Sequence, residues 1–363
     1  MLFYCFFLLL IFGLMLFDKL IIDTRMYNVK LIGNEGINSR EYPKMYSSGL
    51  LKGAFGLLFC FSAFRFNVGW DYLAYYNTIK YHLVTNVVSG GEYATIFLIE
   101  LSRLTGMVNL FFVVNSFICI YFIYKTITTY SLDPWLSLLI FICFPLFFLN
   151  SLSVIRFFTA LAIGFYAFKY IEQKKPIKYL MLILLASLFH KSALIAGVFY
   201  VARYIKLGSI KLLAIFVSLP ILAEFMNKFV VKYLPEYAIY TEATKIQEGT
   251  KAIIFLVVIA LLGVFLRKRI IFNDEAATTY LNIYFFGIAI YLMFYNQGTM
   301  GHRLSLFGII YGLLLVPKMF SIAKGKIERA FLKLIFFSLL VIMFLYTING
   351  GAATYIPYQS IFE

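Results

Sequence analysis

A long apolar run extends over residues 135–168, and Arg156 is its only charged residue. As one helix this run would be about 50 Å long, whereas the hydrocarbon core of a bilayer is roughly 30 Å thick. The polar residues at 150–153 are the only credible turn, so the sequence predicts two helices that meet there, with Arg156 about one helical turn inside the second. A cation at that depth is costly unless it snorkels to the interface or faces water, a partner or an anionic ligand. Both interpretations remain open at this point.

The composition places the chain among membrane proteins, because 62% of its 363 residues are hydrophobic. Repeated apolar runs of about 20 residues are typical of helical membrane proteins. The predicted fold class is therefore all-α, a polytopic helical membrane protein in which 1–363 form a single integral membrane domain. The net charge of +15 comes from short basic clusters between the apolar runs. Membrane topology produces that pattern, so the charge does not indicate a nucleic-acid partner.

The sequence predicts neither a metal site nor a cofactor. The four cysteines (Cys5, Cys60, Cys119 and Cys143) lie inside apolar runs and lack metal-ligand spacing. The three histidines are scattered, and the sequence contains no paired-carboxylate motif, Walker motif, dinucleotide fingerprint or GxSxG elbow.

The distribution of Lys and Arg sets the predicted orientation. Placing the basic clusters in the cytoplasm puts both termini outside and predicts ten spans, at roughly 1–17, 50–66, 108–126, 134–150, 154–171, 211–227, 251–267, 279–296, 303–320 and 331–348. A cytoplasmic loop is predicted at about 18–49. The predicted external segments are 65–91, 228–250, 296–303 and the tail after residue 349.

Two further segments do not read as ordinary spans. Segment 92–106 is short and charged, which favours an interfacial or partly inserted helix. Segment 179–205 carries His190 and Lys191 in its middle, which favours a helical hairpin that turns at these residues. Each arm would be about 18–22 Å long if helical, so the hairpin is predicted to be re-entrant. If it crossed fully, the count would be twelve.

Several cations are predicted to share the external side of the membrane. Arg65, Arg156 and Arg303 fall at the external ends of three helices, and Lys191 lies beside His190 at the tip of the hairpin. Arginine forks suit bidentate contacts with phosphate oxygens, and several of them suit a pyrophosphate. The alternative for each residue alone is a snorkelling interfacial cation.

Asp71 and His190 are the candidate proton-transferring residues. An aspartate at the membrane surface could act as general base toward a sugar hydroxyl, but Asp71 also fits a helix N-cap. A neutral His190 could be a base or could orient a hydroxyl, although a lone histidine in an apolar segment is more often structural. Tyr72 and Tyr75 could stack on sugar faces.

Two other polar residues are weaker candidates for substrate binding. His302 lies beside Arg303, and Asn150 lies in the predicted turn, where it could simply end a helix.

With these residues located, the chain resembles the EpsG-like branch of the Wzy-type polysaccharide polymerases. The resemblance is carried by RFNVGWDY at 65–72, Tyr75, Glu92, NSLSVIRFFTA at 150–160, ASLFHKSAL at 186–194 and HRLSLF at 302–307. It covers about 65–310. Where that family often has a polar residue after the arginine, this chain has Phe157 and Phe158, which leaves the identity of the acceptor open.

The resemblance implies a metal-independent, GT-C-like glycosyltransferase in the bacterial inner membrane. Such an enzyme joins oligosaccharide repeat units carried on undecaprenyl pyrophosphate, in O-antigen, capsule or exopolysaccharide synthesis. Its implied partners are the lipid-linked oligosaccharide, the lipid bilayer, a Wzz-type chain-length regulator and a flippase. Two alternatives stay open: a lipid-linked oligosaccharide flippase or other transporter, and an O-antigen ligase.

Overall fold

The computed structural model of the chain describes residues 1–31, 48–83, 90–206, 208–233, 250–272, 274–294, 299–323 and 325–362. Residues 32–47 of the predicted cytoplasmic loop and residues 234–249 of the predicted external loop lie outside the described residues. The first helix continues through residues 18–31, past the predicted start of the cytoplasmic loop at residue 18, although the stretch that could cross a membrane ends at Ile21. Residues 18–31 contain neither Gly nor Pro, so nothing in their backbone chemistry ends the helix at residue 17.

The described residues form an almost entirely helical protein, which confirms the predicted all-α membrane class. The helices are α1 (Leu2–Leu31), α2 (Gly49–Ala63), α3 (Tyr72–Lys80), α4 (Tyr93–Leu104), α5 (Val108–Tyr130), α6 (Pro134–Cys143), α7 (Phe148–Ser153), α8 (Ile155–Tyr166), α9 (Phe168–Glu172), α10 (Pro176–Ser187), α11 (Ser209–Tyr233), α12 (Thr250–Phe265), α13 (Arg267–Ile270), α14 (Glu275–Met293), α15 (Thr299–Ile309), α16 (Gly312–Ser321), α17 (Lys326–Gly350) and α18 (Ala352–Tyr355). A 3₁₀ helix (Lys191–Tyr204) follows α10, and β1 (Arg65–Phe66) pairs antiparallel with β2 (Gln359–Ser360).

Four stretches of the described chain are long and apolar enough to cross a membrane: Leu2–Ile21, Val108–Tyr130, Glu275–Met293 and Ile327–Gly350. A fifth span results if α15 and α16, which bend by 42° at their junction, count together. Several other apolar helices are shorter; α6, with 10 residues, is only about 15 Å long. The predicted count of ten full spans is therefore not confirmed.

The apolar run at 135–168 is broken near residue 154, as predicted, and also at an earlier place that was not predicted. The first helix of the run ends at Cys143, because Phe144 precedes Pro145 and adopts an extended conformation (φ −76°, ψ 127°). The short helix α7 and a break at Val154 follow before α8 begins at Ile155. Arg156 is consequently in the first turn of α8, not one turn inside the helix.

The hairpin predicted around His190 is present. Helix α10 packs against the 3₁₀ helix, and the Tyr179 hydroxyl donates a hydrogen bond across the pair to the carbonyl of Ala196. Because a 3₁₀ helix rises about 2.0 Å per residue, its 14 residues extend roughly 28 Å, which is longer than the predicted arm.

The predicted interfacial segment forms α4, whose N-terminal end docks on the hairpin tip. The amide of Ala94 donates to the carbonyl of Leu188 (3.0 Å), and the hydroxyl of Thr95 donates to the carbonyl of Phe189 (3.0 Å). The chain just before α4 is thereby fixed beside His190 and Lys191.

Helices α14 and α15 cross at a close glycine contact. A Cβ atom on Gly287 would lie 2.6 Å from the amide nitrogen of Ile309, and one on Gly308 would lie 2.6 Å from the Cα of Gly287. Small residues let helix backbones approach closely inside membranes. The contact fixes the position of α15, which carries Arg303.

The two chain termini lie at the same end of the molecule as Arg65. The Tyr4 hydroxyl donates to the carbonyl of Tyr355 (2.7 Å), and the ladder between β1 and β2 places Arg65 opposite Ser360. At the other end, the buried carboxylate of Asp18 accepts from the indole nitrogen of Trp135 (2.7 Å). The structure thus places both termini on one side, which the predicted topology also requires.

Cysteine labelling tests which side that is. In a variant without native cysteines, Phe362→Cys should react with a membrane-impermeant maleimide in intact cells, because Phe362 is exposed near β2. Gln173→Cys, exposed between α9 and α10, should react only after permeabilisation. The opposite pattern would invert the predicted topology.

Candidate functional site

Four polar side chains from distant parts of the sequence meet in space. Asp71 precedes α3, Arg156 lies in the first turn of α8, His190 is at the hairpin tip, and Arg303 lies in α15. The charges of both arginines act on the pKa of Asp71 and on that of His190. The sequence predicted these residues for one side of the membrane, and the structure brings them together. We refer to these four residues as the polar cluster.

Asp71 occupies a helix N-cap position but does not use its side chain as a cap. Its backbone is helical (φ −81°, ψ −9°), and its carboxylate makes no capping hydrogen bond to α3. Burial raises the pKa of Asp71, while the positive charges of Arg303 and Arg156 oppose that rise. The carboxylate is therefore held near two cations with its oxygens uncommitted to the helix end, an arrangement suited to a general base.

His190 makes its own hydrogen bonds within the hairpin tip. Its Nδ1 accepts from the backbone amide of Ser192 (3.3 Å) and lies 2.7 Å from the Ser192 hydroxyl. Burial lowers the pKa of His190, and the positive charges of Arg156 and Arg303 lower it further, to about 3. A neutral imidazole whose Nδ1 accepts carries its proton on Nε2. His190 is therefore a hydrogen-bond donor toward a ligand, and Asp71 is the better candidate for the base.

Arg156 is neutralised by a buried acid. Its Nη1 forms an ion pair with Oε2 of Glu92, which is 2% exposed. The other oxygen of Glu92 accepts from the backbone amide of Lys191 (3.2 Å). The guanidinium of Arg156 also lies over the ring of Tyr75, 5.6 Å from its centroid. One side of Arg156 is thus committed to the protein.

Arg303 differs from Arg156 in this respect. It is partly buried, and within the described residues its guanidinium makes no hydrogen bond or ion pair. Its charge acts on Asp71 more strongly than that of Arg156 does. The five N–H donors of an arginine form a rigid fork that suits phosphate oxygens. The sequence treated the two arginines as equivalent, whereas in the described part of the chain Arg156 has an acidic partner and Arg303 has none.

The loop before α3 is held by backbone hydrogen bonds to two distant segments. The amide of Gly69 donates to the carbonyl of Thr354 (3.2 Å), and that of Trp70 donates to the hydroxyl of Ser153 (3.3 Å). The amide of Asp71 donates to the carbonyl of Ser153 (3.3 Å). Gly69 has φ +99°, and a Cβ atom there would lie 2.1 Å from the carbonyl oxygen of Leu152. Only glycine allows this approach.

Arg65 is one predicted substrate-binding residue that the structure does not bring to the cluster. It is 1% exposed, and its Nε and Nη2 donate to the carbonyls of Val68 (3.1 Å) and Leu152 (3.2 Å). Its Nη1 donates to the carbonyl of Ser62. Since all three nitrogens bind backbone, Arg65 holds the loop that carries Asp71 and offers no fork to a ligand.

Tyr72 and Tyr75 are also enclosed by protein. Both are 0% exposed, and their rings stack on Phe112 (4.2 Å between centroids) and Phe111 (4.8 Å). These faces are not available for sugar stacking. The exposed aromatic ring beside Asp71 is instead Trp70, at 74% exposure.

The remaining predicted residues lie around the cluster. Lys191 is exposed, and its Cε lies close to Gly91. His302 is in α15 beside Arg303, with its ring edge-on to Tyr291 (6.3 Å). Asn150 lies inside α7 rather than at its end, and its side-chain amide donates to the carbonyl of Leu146 (3.5 Å). The described part of the chain contains no group of three or more His, Cys, Asp or Glu that could hold a metal ion.

A comparison with known families decides the assignment. The model of the EpsG family matches residues 53–360, which is most of the chain. The chain belongs to the EpsG family. No curated protein and no solved structure matches it, so the GT-C-like arrangement stays a prediction.

Membership of the EpsG family makes the chain a membrane protein of polysaccharide biosynthesis, and it confirms the resemblance drawn from the motifs. The matched region contains every residue of the polar cluster, together with Glu92 and Trp70. It also includes Thr354 and β2, so the C-terminal contacts to the loop belong to the region that the family shares.

Two residues of the site were not predicted as site residues. Glu92 was noted as a charged residue of segment 92–106 and as part of the family resemblance, and its pairing with Arg156 joins positions 64 apart in sequence. Trp70 was read as part of the RFNVGWDY motif. The signal for its exposure was its position between Gly69 and Asp71, because a glycine followed by a helix-capping aspartate indicates a tight turn at the protein surface.

Substitution of Gly69 tests the close approach to Leu152. Gly69→Ala should lower glycan synthesis by at least about tenfold, because the clash of the new Cβ with the Leu152 carbonyl displaces Asp71. Gly106→Ala is the matched control: Gly106 also has positive φ (+65°), but no atom lies within 4 Å of its Cβ position. Both variants carry the left-handed backbone penalty of about 1–2 kcal/mol. Equal activity in cells that lack the native protein would contradict this packing.

Proposed function

We propose that this EpsG-family protein is a glycosyltransferase that polymerises oligosaccharide repeat units carried on undecaprenyl pyrophosphate. The observation that carries the proposal is the uncapped carboxylate of Asp71 beside Arg303 and Arg156. One base and two cations are what transfer from a pyrophosphate donor to a hydroxyl acceptor requires. The predicted topology puts this cluster on the external face of the bacterial inner membrane.

The proposed reaction is a single displacement at the anomeric carbon of the donor sugar. The acceptor hydroxyl loses its proton to Asp71 as its oxygen forms a bond to that carbon. The bond between the anomeric carbon and the pyrophosphate oxygen breaks, and its electron pair leaves with the pyrophosphate. The proton on Asp71 then passes to water, which restores the base.

The departing pyrophosphate gains negative charge, which a preorganised cation stabilises in the transition state. Arg303 supplies the fork whose donors are uncommitted in the described structure, and Arg156, whose charge Glu92 largely offsets, supplies a second, weaker contact. The Nε2–H of His190 can donate to a substrate oxygen. Trp70 offers an exposed ring to a sugar face, the role that sequence reasoning gave to Tyr72 and Tyr75.

Lysine substitutions test whether the arginines bind anions through forked contacts. Lysine keeps the charge but cannot reproduce the planar geometry. Arg303→Lys should lower turnover roughly tenfold to a hundredfold, because it loses a charge-assisted hydrogen bond of about 1.5–3 kcal/mol. Arg156→Lys should have the smaller effect, because Arg156 is already paired with Glu92.

Glycan ladders and turnover of lipid-linked units, at matched membrane levels, are the measurements. A snorkelling cation would tolerate lysine, so normal ladders from both variants would refute the anion site. Accumulation of lipid-linked units on the cytoplasmic side alone would indicate a flippase instead.

The pH dependence should identify the base. Asp71 can accept a proton only when ionised, and burial raises its pKa above the ordinary value of about 3.9, so activity should fall as the pH drops through this higher value. His190, with a pKa of about 3, is neutral throughout that range. Asp71→Asn should lower turnover by a factor of about 10²–10⁴.

His190→Gln is the companion variant, because glutamine retains an acceptor for Ser192 and a donor for the ligand. It should lower the rate and leave the acidic limb of the kcat/KM profile in place. Loss of that limb in His190→Gln, or near-normal turnover in Asp71→Asn, would assign the base to the histidine.

A further inference from the structure

Glu92 is a buried carboxylate that the proposed reaction does not use. It lies at the start of α4, between the hairpin tip and α8. Its two oxygens have different partners: Oε1 accepts from the backbone amide of Lys191 (3.2 Å), and Oε2 pairs with the guanidinium of Arg156. Its partners are thus a cation of the polar cluster and the residue next to His190.

The position of Glu92 is fixed independently of the ion pair. The first turn of α4 donates hydrogen bonds to the carbonyls of Leu188 and Phe189, and Gly91 (φ +98°) leaves room for the side chain of Lys191. A Cβ atom on Gly91 would lie 3.1 Å from the Cε of Lys191. The carboxylate therefore stays in place whether or not Arg156 turns toward another anion.

The charge of Glu92 opposes anion binding at the cluster. A pyrophosphate that approaches Arg156 must compete with a carboxylate that already holds one of its nitrogens. It also meets the repulsion of that carboxylate across a distance of a few ångströms, where charges near a protein surface still interact strongly. The same competition helps a pyrophosphate product to leave.

We propose that Glu92 is a positioning residue that limits how tightly the polar cluster holds pyrophosphate, so that the lipid pyrophosphate is released after transfer. The inference rests on the proposed function, since it assigns a leaving group to Arg156. A purely architectural role for Glu92 predicts the opposite result, namely weaker binding when the residue is changed.

Glu92→Gln separates these roles, because glutamine keeps an acceptor for the Lys191 amide and removes the charge. Inorganic pyrophosphate serves as a soluble competitive probe. Its inhibition constant for the Glu92→Gln variant should be about tenfold lower than for the native protein. Steady-state turnover should fall while the first turnover keeps its rate, because release becomes limiting. Full-length protein in lipid nanodiscs is suitable for both measurements.

Three further variants make the result specific. Glu100→Gln removes the carboxylate of another Arg–Glu pair on α4, with Arg103 (2.6 Å), whose glutamate is 51% exposed. It should leave the inhibition constant unchanged. In an Arg156→Gln background, Glu92→Gln should tighten pyrophosphate binding by a smaller factor, because only the direct repulsion is then left to remove. If Glu92→Gln does not accumulate, Glu92→Asp withdraws the carboxylate from Arg156 and should change the constant in the same direction.

Failure of the proposed function and failure of the role of Glu92 would give different results. A native protein that neither turns over lipid-linked units nor is inhibited by pyrophosphate would overturn the proposed function and this inference with it. A native protein that does both, while the Glu92 variants bind pyrophosphate equally or more weakly, would overturn only the role of Glu92.

Discussion

The interaction on which the site depends is the docking of the loop at residues 69–71 on the end of α7. Three consecutive amides of this loop donate to Thr354 and to the backbone and side chain of Ser153. Arg65 ties the same loop to α7 by donating to the carbonyls of Val68 and Leu152. Asp71 can therefore keep a defined position without capping its own helix, and its carboxylate remains available for proton transfer.

Charged groups beside apolar helices are expensive unless they are paired or functional. In the polar cluster, Arg156 is paired with Glu92, while Asp71 and Arg303 have no such fixed partner in the described part of the chain. Burial raises the pKa of Asp71, while the neighbouring Arg303 and Arg156 favour its ionised form. The site thus combines a stable, neutral pair with a second pair of opposite charges that is left for the substrate.

Features that depend on local sequence were predictable: the membrane class, the turn at His190 and the broken apolar run. The earlier break, at Phe144, was missed because the polar residues at 150–153 outweighed Pro145, whose effect on Phe144 is local and could have been used. The enclosure of Arg65 could not be foreseen, since one of its partners is the carbonyl of Leu152, 87 positions away. The proton position on His190 likewise depends on how the hairpin tip folds around Ser192.

The contacts between residues 354–360 and the start of the chain set an order of assembly. Arg65 leaves the ribosome long before its strand partner Ser360, and Gly69 long before Thr354. Helix α1 can therefore enter the bilayer while the loop that carries Asp71 is still unsupported on one side. During biosynthesis, membrane insertion precedes completion of the site, and a nascent chain that stops before residue 354 would be an inserted but incompetent protein.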